Sequence, residues 1–213
     1  NISVGYKSLQ NNTTGYNNAA VGMEALDANT DGYDNVAMGK GALTANTTGD
    51  ASVAIGRDAL AANTTANKNV AVGHQALLAN TTGTEHTAVG EGSLKANTTG
   101  HSSTAVGNLA LNASTGGDNT AIGCKSQRYT TSGDNNVSVG SNSLDANTTG
   151  SYNTGMGVHT LGGNTTGVGN YAGGYGAMYD NTTGSDNTGL GRNALANNTT
   201  ASNNTAVGSQ ALL

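Results

Sequence analysis

Hydrophobic residues recur along this chain in one short arrangement. A β-branched residue, a small residue and an aliphatic residue come together, as in Val53-Ala54-Ile55, Val70-Ala71-Val72 and Thr104-Ala105-Val106, and a glycine follows. Alternation by two sends the first and third side chains to one face of an extended strand and the small one to the other. The pattern predicts one short strand per unit. Alanine holds the middle place except at Ser3, Ser138, Gly155 and Gly189. A place kept this small implies a close neighbour on that side, such as packed backbone. Four residues past the glycine stands a leucine, as at Leu26, Leu43, Leu60 and Leu77, with Ala or Ser before it in nearly every copy. This reads as a second short apolar segment.

The glycine keeps time. It stands at Gly5, Gly22, Gly39, Gly56, Gly73, Gly90, Gly107, Gly123, Gly140, Gly157, Gly174, Gly191 and Gly208. Every step is 17 residues except the 16 from Gly107 to Gly123. Asn-Thr-Thr-Gly closes most copies, as at Asn46 to Gly49 and Asn147 to Gly150. Asn and Gly tolerate left-handed backbone, and Asn can bond its own main chain, so this is turn chemistry. Glycine or asparagine interrupts every few residues and no 3.6-residue period runs through, which argues against helix. A unit of two short strands and two turns cannot bury an apolar face alone, but it can when stacked on identical units.

Composition sharpens that picture. Gly, Asn and Thr supply 94 of 213 residues, and there is no Phe, Trp or Pro. Ile, Val and Leu together supply only 31, a level typical of disorder. Only 10% of residues are charged, so the second half of the disorder signature is missing and repetition must supply the order. The core of one coil is thin. Because both faces of the strand carry apolar or small residues, the second face is expected to pack on other chains, and three rods about an axis would do this.

Eight Lys and Arg against 13 Asp and Glu give no basic stripe for nucleic acid or an anionic membrane. No apolar run is long enough for a transmembrane helix. The single Cys124 excludes an intrachain disulfide and a multi-cysteine zinc site. The chain starts and stops inside a motif, so it is read as a single repeat domain, residues 1–213, from a longer protein.

The residues Asn69-Val70-Ala71-Val72-Gly73-His74-Gln75-Ala76-Leu77 and Asn119-Thr120-Ala121-Ile122-Gly123 carry a likeness. The pattern resembles the YadA-like head repeats of trimeric autotransporter adhesins. The longer form ending in Asn-Thr-Thr-Gly is similar to repeats of phage tail-fibre-type proteins. The likeness covers the whole chain. It implies an all-β fold, a left-handed parallel β-roll (a β-solenoid) of about thirteen 17-residue coils, assembled as a homotrimeric fibre.

Two copies break the pattern. In residues 118–133, read as the 16-residue copy, Gln127 replaces the leucine, and Cys124, Lys125, Arg128 and Tyr129 are new. The expectation is a local kink or looped-out coil, with Arg128 and Tyr129 as candidate ligand contacts. Residues 168–184 carry Tyr171, Tyr175 and Tyr179, and Gly173 replaces the usual Val. Tyrosine suits recognition surfaces and stacks on sugars, so these three are candidate binding residues; otherwise they fill the space left at Gly173. The histidines His74, His86, His101 and His159 form no ladder, and no metal site is expected. No Ser-His-Asp pattern and no repeating carboxylate pair occurs, so neither an enzyme nor a cofactor is expected.

The sequence therefore points to a structural and adhesive segment of an extracellular fibre, on a cell surface or a virion, mediating attachment to a host cell or surface. Its partners would be two further copies of itself and a host glycan or protein receptor, with avidity from many coils. Two alternatives are an ice-binding solenoid and a passive spacer without a receptor. Adjacent Thr47 and Thr48 argue against the first, since a flat threonine array needs spacing by two.

Overall fold

The computed structural model describes residues 1–213 in two compact units, Asn1–Ser103 and Thr104–Leu213. Each is a parallel β-solenoid without helix. The first holds β1 (Ile2–Val4), β2 (Ala19–Val21), β3 (Val36–Met38), β4 (Val53–Ile55), β5 (Val70–Val72) and β6 (Thr87–Val89). The second holds β7 (Thr104–Val106), β8 (Thr120–Ile122), β9 (Val137–Val139), β10 (Thr154–Met156), β11 (Tyr171–Gly173), β12 (Thr188–Leu190) and β13 (Thr205–Val207). Within each unit every strand pairs in parallel with the next in sequence, and like positions align, as in Ala37↔Ala54 and Ala54↔Ala71.

The predicted strand is there, with its small middle residue inward. Ala20, Ala37, Ala54, Ala71 and Ala88 are fully buried, while their neighbours on the strand are half-buried or exposed. What crowds the middle place is largely side chain rather than backbone. A Cβ added at Gly155 would meet Ser143 Oγ at 2.6 Å and Leu144 Cδ1 at 3.7 Å. The leucines at 26, 43, 60, 77, 94, 111, 144 and 161 are all fully buried opposite it, and Met178 takes the same role.

The second apolar segment is not a strand. It lies in a turn, and its leucine has left-handed backbone, with φ of 51° at Leu26 and 52° at Leu60. Two more residues per coil share this conformation, such as Glu24 (φ 59°) before the leucine and Asp34 (φ 57°) before the next strand. A coil this short must reverse direction sharply, and left-handed residues do that. Outside glycine each costs about 1–3 kcal/mol. Burying a leucine side chain returns about 1.5–3 kcal/mol. The two are comparable, which explains how leucine holds a place where propensity favours Gly or Asn.

The marker glycine answers to contact as well as conformation. Gly73 has φ of 140°, and a Cβ there would lie 2.6 Å from the carbonyl oxygen of Gly90 in the next coil.

Some asparagines bend the chain, such as Asn17 (φ 55°) and Asn135 (φ 57°), while those of the Asn-Thr-Thr-Gly turns and those before the strands form two interior ladders. In one, Asn46 Nδ2 donates to Asn29 Oδ1 (2.8 Å) in the preceding coil and to Gly49 O (3.0 Å) in its own. Asn63 repeats this against Asn46 (2.8 Å), and in the second unit Asn164 does so against Asn147 (3.0 Å). The other ladder precedes each strand. Asn18 Oδ1 accepts the N–H of Asn35 (3.0 Å), and Asn18 Nδ2 donates to Gly32 O (2.7 Å). A regular coil is thus filled by Ala and Leu together with amides that satisfy buried main chain.

The missing residue lies earlier than expected. It falls in the turn Ser114–Gly116, while Gln127 belongs to the following coil, so residues 118–133 are not the shortened copy. A full-length turn points two or three N–H groups at one carbonyl: Thr13, Thr14 and Gly15 all donate to Thr30 O at 2.9 to 3.1 Å, and Thr47 (2.8 Å) and Thr48 (3.3 Å) to Thr64 O. The short turn points two, from Thr115 (2.7 Å) and Gly116 (3.1 Å), at Thr131 O. Nothing loops out. Strand register passes from Thr104↔Thr120 to Thr120↔Val137 without interruption. The lost place is the one that Thr48 and Thr65 fill with exposed side chains, so its loss removes no core.

Gln127 is fully buried in the leucine's place. Its Nε2 donates to Thr120 O (2.9 Å) and Ser138 Oγ (2.8 Å), and Ser138 shares a 2.5 Å hydroxyl bond with Ser126. Gln127 Oε1 and Thr130 Oγ1 find no hydrogen-bond partner. Beside Ala121, which stays fully buried, this coil packs an amide and a hydroxyl where others pack leucine and alanine.

Candidate functional site

Three surface features follow from this packing. The first is the outer face of the strands. Because Ala turns in, the flanking side chains turn out. Val21, Met38 and Ile55 in the first unit, and Ile122, Val139 and Met156 in the second, are about 40% exposed in register along their sheets. Val36, Val53 and Val70 form the half-buried column beside them in the first unit.

The second feature surrounds Arg128 and Tyr129. The Arg128 guanidinium pairs with the Asp145 carboxylate of the next coil, Nε to Oδ1 at 3.1 Å and Nη2 to Oδ2 at 2.9 Å. It also lies 4.2 Å from the centre of the Tyr129 ring. Both partners of the ion pair are about four-fifths buried. Arg128 is engaged in holding two coils together, and Tyr129 presents its exposed ring beside it. Cys124 is exposed.

The third is a groove of about 380 Å³ in the second unit. Tyr175, Tyr179 and His159 line one part of it, and Asp180, Asn193 and Asn197 contribute polar groups. The His159 ring meets Tyr175 and Tyr179 edge to face, with centroids 6.3 and 5.9 Å apart. The Tyr179 ring lies over Gly162, where an added Cβ would come within 2.9 Å of Cε2. Both tyrosines are exposed.

The three candidate tyrosines therefore do not act as one patch. Tyr175 and Tyr179 meet in the groove, whereas Tyr171 begins β11 and points out from the sheet face between Thr154 and Thr188. None of Tyr171, Arg128 and Tyr129 lines the groove. The space at Gly173 is approached by Leu190 of the next coil, 3.0 Å from an added Cβ, rather than by a tyrosine. Sequence reading missed His159, Asp180, Asn193 and Asn197. The available signal was the pair Gly162-Gly163, where most coils carry a larger residue followed by Ala.

Two further arrangements were not foreseen. Tyr16 and Tyr33 stack with centroids 5.0 Å apart and planes 3° from parallel. The Asp50 carboxylate raises the Tyr33 phenol above its usual pKa by charge repulsion. His86 replaces an asparagine in the ladder before the strands. Its Nε2 donates to Gly100 O (2.6 Å), and Nδ1 accepts the N–H of Ser103 (3.2 Å). Burial pushes the His86 imidazole below its ordinary pKa.

No three His, Cys, Asp or Glu side chains gather where they would hold a metal ion. No family model, curated protein or solved structure matches the chain.

Proposed function

We propose that this chain is a structural and adhesive segment of a homotrimeric extracellular fibre, on a cell surface or a virion, that mediates attachment to a host cell or surface. The observation that carries the reading is the outward apolar face of the strands. An apolar column at the same place in successive coils is an interface in need of cover. Its period is 17 residues, so a second copy of the same chain matches it coil for coil, which an unrelated surface would not. The trimer follows from the resemblance to trimeric adhesin and tail-fibre repeats. The fibre contributes length and repetition, and attachment comes from places that depart from the repeat.

The threonine columns weigh against the ice-binding alternative. Thr47 Oγ1 donates to Thr64 O (3.1 Å) and Thr81 Oγ1 to Thr98 O (3.1 Å), so one column is committed to the main chain. A single exposed column remains, at Thr48, Thr65 and Thr82.

Sedimentation equilibrium tests the assembly. Three chains of 21.0 kDa give about 63 kDa. A mass of 21.0 kDa across the accessible concentration range would overturn the trimer and leave a self-sufficient solenoid.

A further inference from the structure

We propose that the groove between Tyr175, Tyr179 and Asn197 binds a neutral hexose unit of a surface glycan. This names the ligand class for the attachment reading and rests on it for its biological role. The groove itself is built from one chain.

The argument starts from what a pyranose presents. One face of the ring is a patch of C–H groups, and its edge is a belt of hydroxyls that both donate and accept. A complementary site needs an exposed aromatic face and a few fixed polar groups at its border. The groove has both. Tyr175 and Tyr179 are 56% and 46% exposed and border the groove with their rings. Asp180 supplies acceptor oxygens, and the carboxamides of Asn193 and Asn197 supply both donors and acceptors. The volume of about 380 Å³ lies in the range of small-ligand clefts and suits one or two sugar rings.

The site is also held still. The Tyr175 carbonyl accepts the N–H of Asn193 (2.9 Å), the Tyr179 carbonyl accepts that of Gly163 (2.7 Å), and the Asp180 N–H donates to Ala196 O (2.9 Å). These bonds belong to the ladder between coils, so neighbouring groove residues are spaced by the solenoid itself. The Tyr179 ring rests on Gly162 and meets the His159 ring at a near-right angle, which limits its rotation. Little main-chain order remains to be lost on binding.

Charge narrows the class. No Lys or Arg lines the groove, and Asp180 places a carboxylate there. Sialic acids, uronic acids and phosphorylated sugars would meet that carboxylate without a compensating cation. Neutral hexoses would not.

The test is a glycan array bearing hexose-terminated neutral and sialylated oligosaccharides, probed with the protein and with two variants at exposed side chains, Tyr175→Ala and Tyr179→Ala. Binding to neutral hexose-terminated glycans is expected, with affinity falling about tenfold in each variant. Tyr152→Ala, an exposed tyrosine outside the groove, should bind as the parent does. Thermal melts confirm that each variant is folded; if Tyr179→Ala is not, Tyr175→Ala and Asp180→Asn decide. The proposal fails if no neutral glycan is bound, if sialylated glycans alone are bound, or if binding survives the groove variants. A trimer that binds no neutral glycan overturns this inference alone. A monomer that binds through Tyr175 and Tyr179 overturns the trimeric assembly alone.

Discussion

Leu60 and Gln127 hold the same place in their coils, four residues past Gly56 and Gly123, with φ of 52° and 51°. Both are fully buried. Leu60 sits with Ala54 and Ala59 of its own coil, whereas Gln127 sits with Ala121 and Ser126 of its own and meets Ser138 of the next; all five neighbours are fully buried. The backbone is the same, and the chemistry inside it is more polar. The difference teaches which part of the coil sets its path. Main-chain bonds hold each coil to its neighbour: Leu60 N–H reaches Ala76 O at 3.0 Å, and Gln127 N–H reaches Ser143 O at 2.9 Å. The side chain decides how much the coil gains from following that path. Leucine offsets the left-handed strain by burial. Glutamine offsets less, and it leaves Oε1 without a partner, a loss of about 1–3 kcal/mol.

The strongest way to break the comparison is Leu60→Ala. It keeps the strained backbone and removes what offsets it. A loss of about 2–5 kcal/mol is expected in urea denaturation, as for other buried leucines. If the midpoint stayed where it was, the ladders alone would suffice and the apolar filling would be incidental.

A smaller effect of opposite sign should follow from making the Gln127 coil resemble the others. Gln127→Leu alone would set a leucine against the Ser138 hydroxyl and take one of its partners, leaving it Ser126. Combined with Ser138→Ala, it should raise stability by about 1–2 kcal/mol. A double variant no more stable than its parent would show the polar filling to be fully compensated.

The smallest effect concerns His86. It replaces an amide in a ladder, and Asn80 Oδ1 nearby in the first unit is buried without a partner. His86→Asn should gain about 1 kcal/mol at neutral pH. The pH dependence gives an independent reading. Burial depresses the folded-state pKa, so the unfolded chain takes up the proton more readily. Stability from the neutral ring is then present above about pH 6.5 and lost as pH falls below that toward the folded-state pKa. Protonating Nδ1 would also set a second hydrogen against the Ser103 N–H. The variant should lose most of this slope, measured as melting temperature against pH from 8 to 5.

Much of this was legible in the chain. The glycine register gives the coil length. The β-branched–small–aliphatic triplet gives the strand and the face that turns in. The leucine gives the core, because burial is a property of composition and spacing together. The left-handed conformation of that leucine was not legible, since intrinsic preference points to Gly or Asn there and closure of a short coil overrides it. The asparagines were half legible: Asn46 does bond its own turn at Gly49 O. Their turn propensity is real, yet a repeated amide can bond its own image one coil away, and only the stacked structure shows that. The groove was half visible. Tyr175 and Tyr179 stand out in a chain with little aromatic content, but which polar residues converge on them depends on neighbouring coils. Tyr171 stood out equally and faces elsewhere, because its place on a strand, not its distance along the chain, sets its direction.

The like-on-like register has a consequence for inheritance. Each regular coil ends in the same conformation as it began, and the next coil is required only to be similar. Unequal exchange between the near-identical stretches of its gene would therefore add or delete a whole coil, and the flanking coils would meet and pair as before. Even the loss of one residue at Ser114–Gly116 leaves the strands in register. The length of such a protein is a trait that can drift from one lineage to the next, while the departures from the repeat are carried along as discrete, movable letters.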